Sequence, residues 1–91
     1  PEGIDPLEVE RTILMVPGVA SVHDLHVWSI TPGEPAVTAH VVLAPGGHHG
    51  VDVAREVATS LATRFGLRHA TIQPESAAPS IVQLGTPRDA R

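Results

Sequence analysis

Apolar and polar positions along this chain follow two different periods, and the changes of period divide it into five elements. Leu7, Ile13 and Leu14 recur at helical spacing near the start. The preceding run Asp5-Pro6-Leu7-Glu8 reads as a helix start, with Asp as N-cap, Pro at the first helical position, and Glu three residues on to close a capping box. Pro17-Gly18 ends this helix. Val19 to Ile30 is rich in β-branched residues and predicts a strand; Thr31 to Pro35 turns the chain, and Ala36 to Ala44 predicts an antiparallel partner. After the Gly-rich stretch from Pro45 to Gly50 the period becomes helical again. Val53, Val57, Leu61 and Phe65 form one apolar stripe with Ala54, Ala58 and Ala62 beside it, and Gly66 stands where a left-handed C-cap belongs. His69 to Gln73 predicts a third strand, stopped by Pro74. The remainder, 77–91, reads as a flexible C-terminal tail after a folded domain of residues 1–76.

Two helices and three strands in the order α-β-β-α-β imply an α+β fold, a two-layer sandwich with both helices on one face of the sheet. The other face then lies open. It carries Trp28 and several valines, and a second copy of the chain is the simplest cover for it. Composition strengthens this expectation of a homodimer. Ninety-one residues with 42% apolar but only 2% aromatic content must build a thin core from Val, Leu, Ile and Ala, without cysteine to staple it.

Charge removes one class of partner. Ten acidic residues against six Arg and no Lys give a formal net charge of −4, so the basic footprint of a nucleic-acid binder is missing. No apolar run approaches the roughly 20 residues that span a bilayer, and nothing resembles a cleaved signal, so the chain reads as soluble as it stands. Its start at Pro1, without an initiator Met, fits a fragment of a longer protein. Enzyme chemistry finds no footing either: there is no Cys, no phosphate-binding Gly loop and no nucleophile elbow.

Histidine is what the pattern leaves unexplained. Two of the six histidines fall in HDLHVW, inside a strand. Centring the hairpin on Gly33 sets His26 opposite His40, with Cβ atoms about 5 Å apart, near enough for two imidazoles to share one ion. Strand alternation then sends His23 to the opposite face, and a slip of one residue reverses the assignment. On the third strand His69, Thr71, Gln73 and Glu75 share one face, while Ala70 and Ile72 take the other, toward the helices. Imidazole nitrogen with carboxylate oxygen suits Zn²⁺ and its neighbours Cd²⁺, Co²⁺ and Ni²⁺. His69 and Glu75, however, are separated by about 20 Å of extended strand and cannot grip one ion together without a bend or a second subunit.

The run PGVASVHDLHVWSITPGEPAVTAHVVL, with the later RFGLRHATIQPES, closely resembles the cytoplasmic C-terminal domain of cation diffusion facilitators, over about residues 6–76. These are transporters that exchange a divalent cation such as zinc for protons. The resemblance implies a ferredoxin-like, metallochaperone-like domain on the cytoplasmic side of the cell membrane. Such a domain is attached to a transmembrane domain, forms a homodimer, and controls efflux by binding metal at the dimer interface. It further implies that His23, His40 and Glu75 are the ligands. Where the family often has two consecutive histidines before TIQ, this chain has Arg68-His69, which offers His69 as a substitute ligand. Alternation favours His26 and the resemblance favours His23; a bulge, or a late strand start near Ser21, reconciles them. His49, in the loop pair His48-His49, is a candidate for a second metal position that some relatives carry. The alternative reading is a free-standing soluble metal-binding chaperone or buffer of the same fold, separated from the first by whether hydrophobic spans precede Pro1.

Overall fold

The structure, a computed structural model, describes residues 3–77. Its elements follow the order α1 (Pro6–Leu14), β1 (Val19–Thr31), β2 (Glu34–Leu43), α2 (Gly50–Phe65) and β3 (His69–Glu75). The tail expected over 77–91 lies, apart from Ala77, outside the described residues.

Local chemistry accounts for most boundaries. Asp5 caps α1 by accepting a hydrogen bond from the Leu7 backbone N–H at 2.9 Å, and Pro6 follows at the first helical position. The capping box is not completed as the sequence suggested. Glu8 turns its carboxylate to Arg11 at 2.6 Å and toward Arg64 of α2 at 3.7 Å, so it ties the two helices together instead of reaching back to its own cap. Helix α2 ends at Gly66, whose φ of 71° is the left-handed conformation that a residue without Cβ adopts at least cost.

The sheet runs in the order β1-β2-β3, with β2 central. β1 and β2 pair antiparallel through the two-residue connection Pro32-Gly33, and β2 and β3 pair parallel with α2 as the crossover. β3 continues through Pro74 to Glu75, further than its sequence implied. An edge strand tolerates proline because one side of its backbone has no ladder to complete.

One core holds both layers together. Val37, Ala39 and Val41 of β2 pack against Val9, Ile13 and Val16 from the first helix and the turn after it, and against Val53, Val57, Leu61 and Leu67. The α2 stripe is buried as its period predicted, with Phe65 only partly covered. In α1 the buried line is Val9 and Ile13, whereas Leu7 and Leu14 remain 59% and 42% exposed. On β2, Thr38, His40 and Val42 have the opposite parity to the core residues and are only partly covered. This second side of the sheet carries the chemistry.

Candidate metal centre

The register of β1 against β2 decides which histidines meet. His23 lies opposite His40, and His26 lies opposite Thr38. This corrects the pairing of His26 with His40 expected from a hairpin centred on Gly33. Two features shift the ladder: the turn is tighter than the assumed five-residue loop, and the register slips between Val19 and Ser21, between His23 and His26, and between Ser29 and Thr31.

The slip between His23 and His26 is a β-bulge, in which Asp24 and Leu25 together face Ala39. Asp24 stands there at φ 53°, the left-handed region that Asp enters more readily than most non-glycine residues. The extra residue changes the alternation. Val22 and Val27 pair with the core-facing Val41 and Val37, Leu25 packs against the same core, and His23 and His26 both fall on the side of His40 and Thr38. Unbulged alternation had sent the two histidines to opposite faces.

β3 supplies the carboxylate. Glu75 is in register with Val42, two residues along from His40 on the same face. Its two oxygens reach different imidazoles: Oε1 lies 2.8 Å from His23 Nε2, and Oε2 lies 2.5 Å from His40 Nδ1. The two rings stand 4.9 Å apart, centre to centre, tilted by 50°. The second ring nitrogen of His23, Nδ1, is 3.2 Å from Asp24 Oδ2.

Electrostatics follows from these contacts. The hydrogen bond to Glu75 holds the His23 imidazolium above the usual histidine range; partial burial works against it, and the negative charges of Glu75 and Asp24 reinforce it. Glu75 is held below the usual carboxylate range, first by the bond to His23 and then by the bond to His40. Glu75 thus stands between the two imidazoles, with one carboxylate oxygen toward each.

The same atoms form a donor set. One ligand atom from each of His23, His40 and Glu75 lies within 4.8 Å of the others, and among the described residues this is the group of three or more such side chains so arranged. Tetrahedral zinc with bonds of about 2.0–2.2 Å places its ligand atoms roughly 3.4 Å apart. The present spacings bracket that value, so small rotations of three partly exposed side chains suffice. Two neutral imidazoles and a carboxylate leave a fourth position open and suit borderline divalent cations.

The other histidines lie elsewhere. His26 occupies the same face one step along, opposite Thr38, and is outside the cluster. His69, at the far end of β3 in register with Ala36, lines a hollow with Gly33, Glu34, Pro35, Gly66 and Arg68. His49 is the residue before α2 and makes no side-chain cap. Its neighbour His48 lies over Gly18, where a Cβ would come within 2.8 Å of the imidazole. Strand length explains His69 and loop position explains His49. The contact of Asp24 with His23 had one visible signal in the sequence, an acid directly following a candidate ligand in HDLH.

Residues 1–77 match the family described as the cytoplasmic domain of cation efflux proteins. The chain belongs to this family. This cation efflux domain is 43% identical over 77 residues to the metal cation efflux system protein CzcD of Cupriavidus metallidurans, an alignment covering 85% of the chain and 24% of CzcD. It is 41% identical over 76 residues to the human proton-coupled zinc antiporter SLC30A8, covering 84% of the chain and 20% of that protein. The chain thus spans about a quarter or less of the length of these relatives. Among solved structures, the metal-bound C-terminal domain of the CzcD transporter superposes with a TM-score of 0.72 at 43% identity, covering 79% of this chain and 99% of that one. The α-β-β-α-β sandwich of this cation efflux domain is accordingly ferredoxin-like. Among its described residues, no helix is long and apolar enough to cross a membrane.

Proposed function

We propose that this chain is the metal-responsive cytoplasmic part of a divalent-cation/proton antiporter, joined to a transmembrane domain and acting as a homodimer to control metal efflux. The observation that carries the reading is the convergence of His23, His40 and Glu75 from three different strands on one small volume. Membership of the cation efflux family and the likeness to a metal-bound domain support it.

His23 Nε2, His40 Nδ1 and Glu75 would hold the ion, which when bound supplies a divalent charge among these groups. Glu75 keeps both imidazoles turned toward the shared volume, so little reorganisation would precede binding. Zn²⁺ is the leading candidate, with Cd²⁺, Co²⁺ and Ni²⁺ fitting the same donors. The regulatory step is linkage. If paired domains offer the ligands in better geometry than splayed ones, occupancy shifts the population toward the paired state by that difference in affinity.

The test is calorimetric titration of Zn²⁺ into the wild type and into His40→Ala. Outer-shell partners of a metal ligand alone are worth about 10–100-fold in affinity. Loss of His40 is therefore expected to weaken binding by roughly a hundredfold or more. Equal binding by both proteins removes the metal-centre reading, and unchanged transport by a full-length antiporter carrying His40→Ala removes the regulatory one.

A further inference from the structure

We propose that Asp24 is a positioning residue of the metal centre, fixing which nitrogen of His23 is free to bind a cation. The inference rests on the metal-site reading and extends it to a residue outside the ligand set. His23 is held at both ring nitrogens by carboxylates: Glu75 at Nε2, 2.8 Å away, and Asp24 at Nδ1, 3.2 Å away. A neutral imidazole carries one proton. When that proton sits on Nε2, in the bond to Glu75, the nitrogen aimed at the cluster has no lone pair to offer. When it sits on Nδ1, in the bond to Asp24, Nε2 is free and points at Glu75 and His40. Asp24 thus competes with the closer Glu75 for that proton and favours the tautomer whose free nitrogen faces the site, the arrangement in which a carboxylate orients a metal-binding histidine.

The backbone of Asp24 contributes separately. Its φ of 53° belongs to the bulge that gives β1 the extra residue and puts His23 opposite His40, and from there the Asp24 carboxylate contacts the neighbouring imidazole. Glycine adopts this conformation without strain, so Asp24→Gly removes the carboxylate while preserving the bulge. Asp24→Asn keeps an acceptor oxygen without the charge.

The experiment compares wild type, Asp24→Gly, Asp24→Asn and His23→Ala. In the metal-free proteins, ring-nitrogen NMR shifts are read above the range in which imidazole charges; in parallel, the affinity for Zn²⁺ is titrated. Asp24→Gly is expected to move His23 toward the Nε2–H tautomer and to weaken Zn²⁺ binding by about 10–100-fold. Asp24→Asn is expected to recover part of both. An unchanged His23 tautomer and unchanged affinity in Asp24→Gly, while His23→Ala binds weakly, overturns the role of Asp24 and leaves the metal centre standing. If His23→Ala itself binds Zn²⁺ as tightly as wild type, the metal centre fails and this proposal with it. Should Asp24→Gly lose its folded NMR dispersion, the Asp24→Asn tautomer decides: no shift relative to wild type counts against the proposal.

Discussion

Glu75 engages two imidazoles at once, and this gives the ion-free domain a definite pH response. His23 titrates above its ordinary value of 6.5, so its contribution to stability is full below that value and is lost as pH rises through the raised one. Glu75 titrates below its ordinary value of 4.5, so its contribution is present above that value and is lost as pH falls through the lowered one. Ion-free protein should therefore gain most from the pair between these two ordinary values and melt at lower temperature on the alkaline side. Glu75→Gln should flatten the alkaline fall in a series of melting curves; an identical profile in the variant contradicts the assignment. With Zn²⁺ present the slope should reverse, because deprotonating His23 frees a ligand. The sequence carried much of this residue-scale picture. HDLH, the later His40 and the strand-end Glu75 are visible as donors, and resemblance chose His23. What it could not carry was the left-handed Asp24, since an Asp in a strand has no local mark separating a bulge from a regular position.

At the scale of elements, the two helices differ in how plainly their buried faces were written. In α2 the four-residue spacing from Val53 to Leu61 has no competing apolar line, and that stripe is buried. In α1 two lines are available, Leu7 with Leu14 and Val9 with Ile13, and periodicity cannot say which meets the sheet. The core takes the second, leaving Leu7 and Leu14 exposed. Substitution separates the cases. Leu61→Ala, at a fully buried position, should cost about 2–5 kcal/mol in denaturant unfolding, whereas Leu14→Ala, on the exposed face, should change stability by about 0.5 kcal/mol or less. Comparable losses at both sites would show that the Leu14 face is covered in solution. The strand register was harder to read, because a hairpin's pairing depends on turn length and bulges, and one residue of error moves every side chain to the other face.

For the whole molecule, the order α-β-β-α-β already implied two layers with one face of the sheet left over, and β2 at the centre makes that face the meeting place of all three strands. With His23, His40 and Glu75 each on its own strand, an ion held by all three would brace the entire sheet. Binding to the native state alone stabilises it by about 2.7 kcal/mol at one hundred times the dissociation constant. Zn²⁺ should raise the melting temperature of the wild type and leave Glu75→Gln nearly unmoved, and sedimentation should show the dimer fraction rising with Zn²⁺ in the wild type alone. Trp28, 44% exposed on the same face, offers a fluorescence signal for that association. The most direct measurement is anomalous scattering at the zinc edge from a Zn²⁺-soaked crystal. The expected result is a peak bonded to His23 Nε2, His40 Nδ1 and a Glu75 oxygen. A peak elsewhere, or none while Glu75 still contacts both imidazoles, would contradict a metal centre at His23, His40 and Glu75.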